Sequence, residues 1–332
     1  MGRSRDHKKL YLQAAAVVFL FIFLLSTVLL IVSLWEDRNA SYFPEGTFGP
    51  QSVMEYNGTE YKLKEGVRTL LVLGLDKFDD VDVVEGYSND RQADFVMLMV
   101  IDDAEKKVSA LHINRDTMAD IPVLGIAGEK IGIVNKQLAL AHTYGNGKEV
   151  SCRNTAEAVS GLLYNVNVDH YVSVTMDSVP IFNDLVGGVE VTVLDDFAGI
   201  DDKLLKGETV TLTGEQALTY IRSRKGLDDA TNATRMVRQR QYLDALYKKT
   251  VECKNSDENF VINAALKMAD YMVSDCTVEQ LSTLAQTIID YEFTGIRTIE
   301  GDNVVGEKHM EFFPDIESLK KNVVELFYIP KN

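Results

Sequence analysis

Cysteine is scarce in this chain. Cys152, Cys253 and Cys276 are the three in 332 residues, and their spacing matches no metal-ligand pattern. That excludes a scaffold built on disulfides and, since no second histidine stands at helical spacing from His142, a Cys/His metal cluster written into the sequence. A P-loop, a G-x-S-x-G elbow, an internal repeat and a low-complexity tract are also absent, which removes the nucleotide-cradling, serine-hydrolase and solenoid readings. Positive charge is the other shortage: 34 basic against 50 acidic residues give a net charge of −16. A chain this acidic repels nucleic-acid phosphates at long range, so nucleic acid is excluded as a general partner.

The charge is unevenly spread. Residues 1–9 hold Arg3, Arg5, Lys8 and Lys9 against Asp6 alone, leaving 30 basic and 49 acidic residues beyond them, a net of −19. Residues 10–35 carry no charge, and Gln13 is their one strongly polar residue. A bilayer core takes about 20 residues of helix. Basic residues before the run, and Glu36 and Asp37 after it, predict a single-pass signal anchor in the cell membrane, with a cytoplasmic tail and residues 36–332 outside. A cleaved signal peptide would show a shorter apolar core and a small-residue cleavage site, and neither is present. Outside the cytoplasm one disulfide is permitted: Cys253–Cys276 is the candidate, against three separate buried thiols.

What is present is ordinary globular material, 46% hydrophobic and 25% charged. Residues 36–50 read as a linker and 51–332 as one α/β domain, with a central mixed β-sheet flanked by helices. Asn57-Gly58 between two tyrosine-bearing arms predicts a hairpin. The apolar runs 68–75, 95–102 and 107–113 predict strands, the first buried on both faces. Asp76 ends the first, Asp94 opens the second and Arg115 leaves the third; polar residues at strand ends are site candidates in open α/β sheets. Downstream, a short helix is expected at 136–144, one capped by Asn154 or Thr155, and a βαβ-like unit over 169–197. Helices are expected at 257–273, 277–291 and 316–327.

The stretch 213–247 gathers Arg222, Arg224, Lys225, Arg235, Arg238 and Arg240 in this acidic protein. Arginine's planar fork matches phosphate oxygens in pairs, so the cluster suggests an anion site. Thr213 and Gln216 form a T-x-x-Q capping box for a helix to about residue 220, with Arg222 and Arg224 side by side on its extended exit. A second helix from about residue 234 puts Arg235, Arg238, Gln239 and Tyr242 on one face, with Met236, Leu243 and Tyr247 on the adjacent core-facing flank. The plainer reading is a solvated basic helix paired with surface acids.

Taken together, RTLLVLGLD, FVMLMVID, INRDT, NDLVGGVEVTV, GEQALTYIRSRKG and RMVRQRQ resemble the LytR-CpsA-Psr family of bacterial cell-envelope proteins over 68–247. The chain departs from the family pattern where GLDKF lacks an arginine, where Arg91 is displaced by one residue, and where the loop 226–234, with Asp228 and Asp229, is longer. The resemblance implies transfer of a glycopolymer, of teichoic acid or capsular polysaccharide type, from a polyprenyl diphosphate carrier to peptidoglycan by metal-assisted phosphoryl transfer. It implies that Asp76 and Asp94 hold Mg²⁺ or Mn²⁺. It further implies that Arg115, Arg222, Arg224, Arg235, Arg238 and Gln239 surround the diphosphate, with Arg115, Asp94, Arg222 and Arg224 catalytic. Magnesium's preference for carboxylate and phosphate oxygens is consistent with that set. The rivals are a polyprenyl diphosphate hydrolase, a non-catalytic binder or sensor of lipid-linked polymer, and a transcription regulator, which the external topology and the acidic charge oppose.

Overall fold

The computed structural model describes residues 50–76, 91–125, 127–224, 227, 232–307 and 309–331. The apolar span 10–35 with its tail and most of its linker, Lys225, and the pair Asp228 and Asp229 lie outside the described residues. Among the described residues, no helix is long and apolar enough to cross a membrane.

Six strands form the central sheet. Its order is β11 (Met272–Ser274), β8 (His170–Thr175), β3 (Val67–Leu75), β4 (Phe95–Asp102), β5 (Lys107–Ile113) and β12 (Glu292–Thr298). The β3–β8 and β5–β12 pairs are parallel and the rest antiparallel, so the sheet is mixed. The near-continuous apolar run of β3 suits its central place, since both of its faces are covered. Leu71, Leu73 and Leu75 enter a core shared with α1 (Glu149–Leu162) and α7 (Ile316–Phe327). Leu70, Val72 and Gly74 face the other way, toward α4 (Asn232–Ser256), α5 (Phe260–Met268) and α6 (Val278–Asp290).

Smaller elements surround this frame. β1 (Val53–Tyr56) and β2 (Thr59–Leu63) form the expected hairpin, with Asn57 and Gly58 at positive φ, and β15 (Tyr328–Pro330) pairs with β2. β6 (Met118–Leu124) pairs with β7 (Lys130–Gln137), and β13 (Gly301–Val305) with β14 (Met310–Pro314). Helix α3 (Gly214–Arg222) starts at the Thr213–Gln216 capping box and runs two residues past its expected end, so Arg222 closes the helix and the extended exit begins at Ser223.

Several expectations are corrected. The βαβ-like unit is not one. After β8 and α2 (Ser178–Leu185), β9 (Val189–Thr192) leaves the sheet and pairs antiparallel with β10 (Thr209–Leu212). Its alternation explains this: Val189 and Val191 are buried while Glu190 and Thr192 are exposed, the mark of a strand with one wet face. The short helix expected at 136–144 is present as a 3₁₀ helix, Leu138–Thr143, while residues 136 and 137 end β7 instead. Long-range backbone bonds hold it: Leu138 N–H donates to Thr117 O at 2.7 Å and Ala139 N–H to Arg115 O at 2.9 Å. Helix α1 begins at Glu149, because Asn146 Oδ1 accepts the Lys148 and Val150 amides; Asn154 and Thr155 are buried inside it. The helix expected at 257–273 is cut short, and its last residues become edge strand β11. All three cysteines are free thiols, so the Cys253–Cys276 pair is not formed.

Candidate active site

Sheet register assembles the site. β4 and β5 pair with Val96 opposite Ile113, and two more steps along the same register place Asp94 opposite Arg115. Their side chains form an ion pair, and Arg115 also donates to Gln92 Oε1. Arg115 Nε lies 3.3 Å from Asp116 Oδ1, and Gln137 Nε2 donates to that same oxygen at 3.0 Å. Asp94 N–H donates to Gly74 O at 2.8 Å, which fixes Asp94 beside the end of β3. The 3₁₀ turn splints both strand ends: besides holding Arg115 O, Ala139 accepts the Ala93 amide at 3.1 Å. Asp76, one residue beyond β3, is exposed and paired with Arg222 at 3.1 Å.

Helix α4 brings the remaining cations from below. Arg235 is buried, its Nη2 reaching Asn232 Oδ1 at 2.7 Å and Asp94 O at 3.3 Å. Asn232 Nδ2 in turn donates to Asn114 Oδ1 at 2.7 Å. Two short amides therefore lock the first turn of α4 to the exit of β5. These partners were missed in sequence, though Asn232 and Arg235 stand at i, i+3 on the helix that the arginines had marked. Asp116 and Gln137 were missed as well.

The cations are crowded. Burial pushes the Arg235 guanidinium down to about 10, and Arg224 and Arg115 push it the same way. Arg115 is also lowered, first by burial; Asp116 opposes the shift and Arg224 adds to it, while Asp76 is close enough to oppose it. Arg115, Arg224, Arg235 and Asp76 thus share one electrostatic neighbourhood. An anion placed among these cations relieves repulsion that the protein otherwise bears.

Arg238 and Gln239 point inward. Arg238 is 1% exposed, paired with Asp195 and donating to Ser223 O, with Phe197 against its guanidinium. Gln239 Nε2 donates to Ile221 O at 3.3 Å, and its side chain borders an apolar cavity. That cavity, about 390 Å³, lies between the sheet and helices α4, α5 and α6. Gly74 and Phe95 line it next to the two aspartates; a Cβ on Gly74 would stand 2.8 Å from Phe95 Cβ, so glycine lets the ring lie across the strand.

The sequence profile of the LytR_cpsA_psr family matches residues 47–326. The chain belongs to this family. A relative named polyisoprenyl-teichoic acid--peptidoglycan teichoic acid transferase TagU, from Enterococcus faecalis, is 28% identical over 247 residues, 73% of this chain and 71% of the relative. The chain spans about half the length of others so named, 53% for the one from Halalkalibacterium halodurans. Among solved structures, Bacillus subtilis TagV superposes with a TM-score of 0.57 at 24% identity, covering 79% of this chain and 98% of that one. A structure of TagT bound to LI-WTA gives 0.59 at 22% identity, covering 79% and 90%. The mixed sheet with helices on both faces is the fold of these proteins.

Proposed function

We propose that this LytR_cpsA_psr protein transfers a glycopolymer from a polyprenyl diphosphate carrier to peptidoglycan. The observation that carries this reading is one juxtaposition. A cluster of crowded arginines adjoins an apolar cavity where Gly74, Phe95 and Gln239 line it. A molecule with a hydrocarbon tail and a diphosphate head meets both needs at once. The names of the relatives, transferases of polyisoprenyl-teichoic acid, support the same substrate class.

In this scheme the tail occupies the cavity and the diphosphate lies among Arg115, Arg222 and Arg224, with Arg235 beneath. Two of these arginines already hold carboxylates, Arg115 with Asp94 and Arg222 with Asp76. Phosphate oxygens arriving at the site take over the arginine forks and free the aspartates. Asp94 Oδ1 is buried against Arg115, so it becomes available to a cation once phosphate takes over that fork. Two hard carboxylates beside a phosphate site fit Mg²⁺ or Mn²⁺, and Asp76 and Asp94 would hold the ion. It would supply neutralisation of phosphate charge when bound.

An acceptor hydroxyl of peptidoglycan then attacks the phosphorus distal to the lipid. The new O–P bond forms as the bridging P–O bond breaks, and polyprenyl phosphate leaves with the electron pair. Arg115 and Arg224 stabilise the charge developing on it. The hydroxyl proton passes to a carboxylate of the site, Asp94 or one close to it. An anchor over 10–35, with the domain outside the membrane, would keep the site near a carrier whose tail belongs in lipid.

The test uses the full chain in detergent with a synthetic polyprenyl diphosphate-linked sugar, Mg²⁺ and peptidoglycan oligomers. Polyprenyl phosphate appearing together with a sugar–phosphate–peptidoglycan adduct supports transfer. Release without adduct makes the protein a hydrolase. Bound lipid with no release makes it a binder.

A further inference from the structure

A second cluster of side chains lies at the β11 edge of the sheet. β8 and β11 pair with Val172 opposite Ser274, and two further steps along that register place His170 opposite Cys276. Asp275, between them, replaces the next rung of the ladder: its Oδ1 accepts the Tyr171 amide at 3.1 Å. Its other oxygen, Oδ2, stands 3.4 Å from His170 Nδ1. Ser274 Oγ donates to Tyr171 O at 2.6 Å and accepts the Cys276 amide at 3.1 Å, which fixes the turn that carries the aspartate and the thiol. One nitrogen, oxygen and sulfur atom from the three residues lie within 4.8 Å of one another.

We propose that His170, Asp275 and Cys276 form a binding site for a Zn²⁺-class transition-metal ion. The donor set is the first argument: imidazole, carboxylate and thiolate are what zinc selects, whereas Mg²⁺ takes oxygens. Geometry is the second. Tetrahedral zinc, with bonds of about 2.0–2.3 Å, sets its ligand atoms roughly 3.3–3.8 Å apart. The histidine–aspartate gap already has this value, and the sulfur stands within 4.8 Å of the other two ligand atoms. His170 Nδ1 is shielded from solvent and faces Asp275 Oδ2 at 3.4 Å without an oriented hydrogen bond. Asp275 keeps one oxygen on the backbone and turns the other toward His170, the arrangement that fixes a ligating carboxylate. The His170 and Asp275 side chains remain 38% and 32% exposed, so an ion can enter. Three protein ligands leave a fourth position for water.

The place of the site gives it a role. β11 is three residues long and joins α5 and α6, two of the helices that wall the apolar cavity. An ion shared by His170 on β8 and the β11–α6 turn ties that wall to the sheet. The ion binding itself rests on no reading of the arginine cluster.

The experiment titrates Co²⁺ and then Zn²⁺ into the chelator-stripped full chain. Co²⁺ is expected to produce a thiolate-to-metal charge-transfer absorption that Zn²⁺ abolishes. Cys276→Ser should lose the band, while Cys152→Ser and Cys253→Ser keep it. His170→Gln and Asp275→Asn should each weaken Zn²⁺ by at least about tenfold in competition with a chromogenic chelator. Absence of the band in the unaltered protein, or its persistence in Cys276→Ser, overturns the proposal.

Discussion

Arg238 is tied to Asp195 inside the protein and is 1% exposed. Of the arginines that the family resemblance places around a diphosphate, it is the most deeply buried. The pair anchors α4 to the segment after β9, and the Ser223 carbonyl, at the exit of α3, shares the same guanidinium. Removing one partner leaves a buried charge uncompensated, whereas replacing both with apolar residues of similar size is often nearly neutral. Arg238→Ala should therefore destabilise the fold by about 3–5 kcal/mol, and Arg238→Met with Asp195→Leu by much less. Denaturant melts of the two variants and the unaltered protein test this. A large loss of turnover in Arg238→Ala with unchanged stability would instead assign the guanidinium to the substrate.

Arg115 differs in kind, because its fork already holds Asp94, next to the cavity-lining Phe95. With lipid-linked donor at saturation, Arg115→Ala should lower transfer by roughly 10²–10³-fold, the cost of removing one preorganised charge-stabilising donor. Arg115→Lys should recover little, since an ammonium keeps the charge but loses the planar pair of bonds. Transfer rates at saturating donor for both variants check this; unchanged transfer in Arg115→Ala refutes the role.

The site was legible wherever it depended on strand ends and helix faces. Asp76, Asp94 and Arg115 fall at strand ends because three apolar runs have sharp boundaries, and the capping box at Thr213 fixes where α3 begins. What could not be read was pairing at long range. Nothing local says that Leu138 and Ala139 will bond to Thr117 and Arg115 and so adopt a 3₁₀ turn. Nor does sequence spacing unite His170 with Cys276, which meet because a three-residue edge strand continues the sheet. The helical face shared by Arg235 and Arg238 was correct as geometry. Its burial was not visible, since partners such as Asp195 and Asn232 come from other parts of the fold or from the head of the helix.

The apolar cavity makes a separate prediction about the lipid. Ala285 on α6 lines it, half-buried. Ala285→Phe should project a ring into the space and raise the KM for a long-chain polyprenyl donor at least about tenfold, since even one methylene in an apolar pocket is worth about 1–3 kcal/mol. A donor truncated to one or two isoprene units should be much less affected. Equal loss on both donors would mean that the cavity does not hold the tail.

Buried histidine gives the protein a defined response to acid. Burial pushes the His112 imidazole down to about 3, and the nearby Arg240 and Arg235 cations add to the shift. Its ring packs against Phe95 with centroids 4.8 Å apart, so it sits directly behind the cavity wall. Burial lowers His142 to about 4. An unfolded chain protonates both near pH 6.5, whereas the folded protein keeps them neutral until far lower pH. The unfolded state therefore binds more protons throughout this window. Stability is fully present above about pH 6.5 and falls as pH drops, by about 1.4 kcal/mol per unit for each histidine. His112→Leu removes one contribution, so between pH 7.5 and 5 it should lose about 2 kcal/mol less than the unaltered protein. Denaturant midpoints at the two pH values measure the difference. Parallel losses in the two proteins would show that His112 takes up its proton in the folded state as readily as in the unfolded one.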